Sequence, residues 1–525
     1  MPSCQRTGDR TYVVARIAVL SRLLVILLAF LSNALVDDYD SSFDLVYEPL
    51  LPTAFNPQFL PTLTKPPDAR PVVDPLPARP VETKTKDDET TDTLDPQLAV
   101  VADPASVAAF DPVPLTRAQQ LLKPWLRVFV RWDAIYFVHL AEEGQYVYEQ
   151  EHAFFPMLPM TMRVVATYVL YPLLPGLGFR ISVILAGVLI SNLAFVGSAV
   201  ILYRLGQDLV GDDRLAYLAA LCYCFTPASA FMSAIYTESL FALLSFICFR
   251  LVARRRYLQA AYFVSLSSLT RSNALTYCGF FAYDLAVRPL RPLLLRLHGV
   301  HSKRSIAATV WPYLANLLRV VFYCLVALTG FTLFQYYGYQ LYCTGPAPPR
   351  PWCHARVPLL YSFVQTHYWN NGFLKYYEVK QIPNFLFASP MVTLSFAGIF
   401  SYAQADWRRF LTLGLVRSAS TRPAYHHSAL LPHVYLWLVL LLYATLNMHI
   451  QIITRFFSSQ PMVYWYSAHL LLQRPPTGLA GSDSRWPRAW WSARRLTLAG
   501  SLLLCYYTLY GTIGIVLFSN FFPPA

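Results

Sequence analysis

Apolar runs long enough to cross a lipid bilayer recur along this chain, and they restrict its fold more than any other feature. A spanning helix needs roughly 20 apolar residues to traverse about 30 Å of hydrocarbon. Such stretches fall at about 13–36, 156–174, 179–204, 214–233, 236–252, 257–283, 311–338, 384–404, 431–454 and 496–519. In lipid, only helices and closed barrels satisfy every backbone N–H and C=O, and no strand-like alternation is visible. The pattern therefore predicts an all-α polytopic membrane protein with about ten spans. Composition agrees: 55% of the 525 residues are hydrophobic and only 14% are charged, against about 25% charged in soluble domains.

Charge is unevenly placed. Residues 37–111 carry fifteen Asp/Glu against five Lys/Arg, although the whole chain has a net charge of +13. No basic run is interleaved with a nucleic-acid-reading module, so the basic remainder reads as loops beside membrane spans. Arg6, Arg10, Arg16 and Arg22 flank or enter the first run and place its start in the cytosol. The 288–304 loop and the 405–430 loop, with Arg408, Arg409, Arg417 and Arg422, read as cytosolic too. Loops 339–383 and 455–495 then face the lumen, and both termini the cytosol. Arg254, Arg255 and Arg256 conflict with that count, unless a segment near Pro227 is re-entrant.

The expected organisation has four parts. Residues 1–36 are a cytosolic N-terminus and first span. The acidic, proline-rich stretch 37–116 is too poor in apolar groups to offset its ordering entropy, and reads as a disordered luminal insertion. Residues 117–155 form a luminal loop with amphipathic helices, and 156–525 the multi-span domain. Of the nine cysteines, most lie in apolar runs as small buried hydrophobes. Cys343 and Cys353 bracket a polar loop and suit a disulfide if that loop faces an oxidising compartment. No cysteine–histidine spacing fits a metal, so no metal is expected.

Charges beside or inside apolar runs are the candidates for chemistry, because a charge near the bilayer centre costs about 3 kcal/mol or more. "RWDAIYF" places Trp132 and Asp133 just past an amphipathic stretch in the first luminal loop. A plain interfacial anchor with Asp133 near a helix start is the competing reading. "EEGQYVYEQEHAFFP" follows, offering Tyr146, Tyr148, Glu149, Glu151 and His152, a mixture suited to sugar binding but also to an interfacial aromatic belt. "SAIYTES" puts Glu238 at the edge of a span, and "SLTRSNAL" puts Arg271, Ser272 and Asn273 inside one. Glu238 and Arg271 suit a structural ion pair; alternatively, the Arg271 fork matches a phosphate. "YWNNGFLKYYE" supplies Asn370, Asn371, Lys375 and Glu378. Arg455, in "HIQIITRFF", stands at a span end, where snorkelling alone would account for it.

Taken together, "RWDAIYFVHLAEEGQYVYEQEHAFFPMLP", "SAIYTESLFALLSF", "RSNAL", "LFQYYGYQLYC", "PWC", "WNNGFLKYYEVKQIPNFLFASP", "LTLGL" and "ITRFF" resemble, in that order, the GPI mannosyltransferase 2 family. The resemblance covers most of residues 1–36 and 117–525. It implies a GT-C-type multi-helix bundle with luminal interfacial helices, in the membrane of the endoplasmic reticulum. It also implies α-1,6 transfer of the second mannose of a glycosylphosphatidylinositol precursor. The donor would be dolichyl-phosphate mannose, with no cofactor, and the acceptor mannosyl-glucosaminyl-(acyl)phosphatidylinositol. A small accessory subunit is compatible with it, and membrane lipids are the surrounding partners. The family's Trp–Asp pair falls on Trp132 and Asp133.

A β-linked donor and an α-linked product imply inversion, hence a single displacement with a carboxylate base. Asp133 is the expected base. Arg271, then Arg455 and Lys375, are candidates to meet the leaving phosphate, and Glu149, Glu238 and Asn273 are further substrate-binding candidates. Three rivals remain at this point: another dolichol-dependent glycosyltransferase, a transporter or scramblase, and a noncatalytic subunit.

Overall fold

A computed structural model describes residues 9–39, 116–297, 307–344, 349–416, 424–473 and 496–522. Most of the acidic stretch 37–116 lies outside the described residues. The described chain is an all-α polytopic membrane protein, with no strand among the described residues. Among the described residues, six helices are long and apolar enough to cross a membrane. They are α1 (Thr11–Leu35), α5 (Phe179–Val210), α10 (Ala307–Cys343), α12 (Ile382–Ala405), α13 (Leu431–Asn447) and α15 (Leu498–Ser519).

The other expected spans are assembled from shorter pieces. α6 (Asp213–Cys224) stops just before Pro227, which cannot donate to a continuing helix and restricts the residue before it. A single turn, α7 (Ser229–Ser233), and an extended link through Ala234 lead into α8 (Glu238–Ala253). This break leaves carbonyls without helical partners, and Arg22 of α1 covers them. Its Nη2 donates to the Cys224 carbonyl at 3.1 Å, and its Nη1 to the Ser229 carbonyl at 3.0 Å and the Ser233 hydroxyl at 3.2 Å. The guanidinium also lies 3.7 Å from the centre of the Phe195 ring. Arg22 is thus a buried brace rather than a cytosolic flank of the first span.

Ion pairs fix which helix ends lie together. Arg10, Asp213 and the Asp208–Arg250–Arg254 group gather the start of α1, the end of α5, the start of α6 and the end of α8 at one end of the bundle. Residues 213–253 therefore rise and return once, so Arg254 joins the other basic turns. The conflict over Arg254, Arg255 and Arg256 disappears. α4 (Met157–Val165) starts the 156–174 run, which does not make a separate crossing. It folds back along the first half of α5, where Met162 meets Gly187 and Arg163 donates to the Ala141 carbonyl at 2.9 Å.

Two topological expectations fail. Asn520, just past α15, donates to Ser32 near the end of α1 at 2.7 Å, so the described chain starts and finishes at opposite ends of the bundle. Of the expected luminal loop 455–495, residues 474–495 lie outside the described residues, and the described part does not run as a loop. α14 (Pro461–Leu472) is buried and runs back toward the basic end, where His469 packs on Tyr425 at 5.1 Å. The cause is legible in hindsight: "PMVYWYSAHLLL" is apolar all round, so it fills the core rather than lining a loop.

Close backbone approach tightens the centre. At Gly330 of α10 an added Cβ would strike the Ser265 carbonyl of α9 (Tyr257–Ser268). Small residues let membrane helices approach in this way. At the other end, Cys343 and Cys353 are joined in a disulfide, with Cα atoms 5.6 Å apart.

Candidate active site

The site is built where the α6–α8 hairpin turns. Asp133 occupies the N-cap position of α3 (Ala134–Glu143), yet its side chain makes no capping hydrogen bond. An Asp there ordinarily caps. Here its Oδ2 instead accepts from Arg455 Nη2 at 3.1 Å, and the side chain stays one-third exposed. The interfacial-anchor reading does not account for that diversion.

Arg455 is the hub. Its Nε donates to Glu238 Oε1 at 2.9 Å, and Arg271 Nη1 approaches the same oxygen at 3.3 Å. The result is a row of alternating charge: Asp133, Arg455, Glu238, Arg271. Glu238 is fully buried in the first turn of α8, where the helix dipole favours an anion. Its other oxygen, Oε2, has no partner. Breaking such a buried pair from one side costs about 3–5 kcal/mol. Arg455 is further enclosed by the faces of Phe231, at 4.5 Å, and Tyr236, at 4.8 Å.

Tyr236 also fixes the turn that carries the acid. Its hydroxyl donates to the Arg131 carbonyl and accepts from the Asp133 N–H, both at 3.1 Å. Within that turn Trp132 has φ +53°, a left-handed conformation that costs a non-glycine residue about 1–2 kcal/mol. Strain of this kind persists only where surrounding contacts enforce it. Tyr236 and Phe231 did not stand out in the sequence.

The remaining candidates separate. Asn273 sits two residues after Arg271, at the start of a short helical stretch, with its Nδ2 buried and unpartnered. Lys375 is exposed on a turn docked against α13 through Leu374 N–H and the Leu446 carbonyl, at 2.7 Å, and has no contact with the charge row. Glu149 is also not in the row. It accepts from Arg350 at 2.7 Å, Trp352 Nε1 at 2.8 Å and the Tyr368 hydroxyl at 2.8 Å. Burial opposes its charge, but these donors outweigh burial and hold its carboxyl below the usual range. Glu149 thus ties the 350–368 segment to the loop after α3, a docking contact rather than an open sugar site.

Its neighbours are likewise internal. Glu151 is buried, pairs with His139 at 2.6 Å and accepts from the backbone N–H of Val147 and Tyr148. Burial among Tyr146, Phe334 and Tyr342 pushes the His152 imidazole down to about 4.

Comparison with known proteins places the chain. The family described as Mannosyltransferase (PIG-V) matches residues 91–525. The chain is 33% identical over 466 residues to GPI alpha-1,6-mannosyltransferase 2 of Homo sapiens, covering 79% of this chain and 92% of that protein. To the protein of the same name from Cricetulus griseus it is 32% identical over 468 residues, with the same coverage. To GPI mannosyltransferase 2 of Schizosaccharomyces pombe it is 31% identical over 402 residues, covering 76% and 73%. A multi-pass helical protein with a row of paired charges at one end of its bundle, this chain belongs to the PIG-V mannosyltransferase family and is a glycosyltransferase.

Proposed function

We propose that the chain adds the second, α-1,6-linked mannose to a glycosylphosphatidylinositol precursor in the endoplasmic-reticulum membrane. The donor is dolichyl-phosphate mannose, and the Asp133 end of the bundle faces the lumen. The acceptor is the mannosyl-glucosaminyl-(acyl)phosphatidylinositol intermediate. The names of the relatives support the activity. The observation that carries the mechanism is the Asp133 carboxylate, turned away from its own helix and left with an accessible face beside Arg455.

In the reaction, the acceptor hydroxyl oxygen bonds to the anomeric carbon while the bond from that carbon to the phosphate oxygen breaks. The electron pair leaves with dolichyl phosphate, and the hydroxyl proton passes to Asp133. Inversion follows from this one displacement. Arg455 positions the acid. Arg271 keeps a guanidinium edge beyond its ion pair with Glu238 and is the group that meets the phosphate. Preorganised charge of this kind stabilises a leaving anion without reorganisation.

The test is expression in cells lacking the second mannosylation step. Surface display of GPI-anchored proteins should return and the one-mannose intermediate should disappear. Persistence of that intermediate, with the protein present in the membrane, would overturn the reading.

A further inference from the structure

The turn carrying Asp133 is held from outside its own loop by residues that follow α15. Phe521 stacks on Trp132 with ring centres 5.0 Å apart and planes 13° from parallel. It also lies 5.4 Å from the Arg131 guanidinium. Like Trp132, Phe521 has a left-handed backbone, with φ +63°. Two facing aromatic residues, each in a disfavoured conformation, are held by their surroundings and not by local preference.

Those surroundings are a polar knot. The Asn520 amide donates to Ser32 at 2.7 Å, and its Oδ1 accepts from Asn33 at 3.2 Å. Asn33 Oδ1 accepts from Arg127 at 2.6 Å. Arg131 Nη2 lies 2.9 Å from each oxygen of Asp38, which also accepts from Asn33. Tyr39 N–H closes the knot on the Asn520 carbonyl at 2.9 Å. The segment thus bolts the end of α1 and the end of α15 onto both residues preceding the acid.

We propose that Phe521 is a positioning residue for Asp133, acting through Trp132 and seated by the Asn520–Ser32–Asn33 contacts. The proposal rests on the mannosyltransferase reading above. The chain comes down on Asp133 from two sides: Tyr236 pins the backbone of the turn, and Phe521 pins the ring beside it. Removing the second constraint frees Trp132 to leave its strained conformation and swings Asp133 away from the acceptor hydroxyl.

Two measurements test this on the full chain in membranes. First, Phe521→Ala should lower kcat for mannose transfer about 10- to 100-fold per mole of protein with KM unchanged, the scale of a small misplacement of a catalytic group. Phe521→Tyr should restore kcat to within a few-fold of the parent. If Phe521→Ala does not accumulate, Phe521→Leu, which keeps apolar bulk without a flat ring, must show the kcat loss. Unchanged kcat, or an equal loss in the Tyr variant, overturns the proposal.

Second, Ser32→Cys combined with Asn520→Cys should cross-link on oxidation, read as a linked peptide by mass spectrometry. Its absence overturns the proposal whatever the activity. A parent chain that transfers no mannose at all sinks the functional reading instead, and the cross-link still decides whether the clamp exists.

Discussion

Arg455 Nη2 stands 3.1 Å from Asp133 Oδ2 although 322 residues separate them, and the same guanidinium holds buried Glu238. One side chain therefore links the loop bearing the acid to the tip of the α6–α8 hairpin. Asp133 and Glu238 have different parts in this row. Glu238 is sealed and anchors, whereas Asp133 keeps an accessible face, as the proposed base requires.

Asp133→Asn keeps the size of the side chain while removing its capacity to take a proton. Transfer should fall by about 10²–10⁴-fold, the range for loss of a general base. The protein should reach normal levels in the membrane. The assay is labelled mannose transfer from dolichyl-phosphate mannose, normalised to protein amount, and appreciable residual turnover would remove Asp133 from the mechanism.

Arg271→Ala and Arg455→Ala should differ in kind. Arg271→Ala leaves Glu238 its contact with Arg455, so the main effect should be a higher KM for donor. Donor dependence equal to the parent's would make Arg271 a structural partner only. Arg455→Ala strips Glu238 of its hydrogen-bond donor, and the cost should approach about 3–5 kcal/mol. It should appear as rapid proteolysis at temperatures the parent survives. Arg455→Ala combined with Glu238→Gln should recover part of that loss without recovering transfer.

Glu149 predicts a pH dependence of sign opposite to that of a buried, unpaired acid. Its folded carboxyl titrates below the unfolded value. Its contribution is therefore complete above the usual carboxylate range and fades as pH falls through the folded value. Hydrogen-exchange protection of residues 350–368, corrected for the intrinsic exchange rate at each pH, should fall on acidification in the parent chain. In Glu149→Gln that protection should be low already at neutral pH and change less.

Gly330→Val inserts a branched side chain where a Cβ alone would strike the Ser265 carbonyl. Overpacking of this kind costs about 1–3 kcal/mol. A lower midpoint of thermal unfolding should accompany it. Gly279→Ala, at a position where an added Cβ meets nothing within 4 Å, is the matched control.

One rule made most of the site legible in the sequence: a charge beside an apolar run needs a reason. It picked out Asp133, Glu238, Arg271 and Arg455, and the Glu238–Arg271 pair was one of the two readings open from the start. The same rule selected Lys375 and Glu149, which stand outside the row, because it cannot tell a working charge from a docking one. Arg455 as hub was hidden, since its partners lie hundreds of residues away and a span-end arginine is ordinarily explained by snorkelling. Phe231, Tyr236 and Phe521 are aromatic residues in a chain with many of them, and periodicity alone singles none out. The expected loop after 454 fails in its described part because it was read as the gap between two long apolar runs, whereas α14, too short to count as a span, is apolar on every side and returns through the core.

The α6–α8 hairpin leaves the basic end and comes back to it, so the height of its tip is a matter of counting. One residue added to α8 would turn Glu238 by about 100° and lift it about 1.5 Å relative to a fixed base, enough to part it from both arginines. Chain length in that leg is consequently under the same restraint as the acid itself. Insertions and deletions between 238 and 253 should abolish transfer even when every side chain of the charge row is intact.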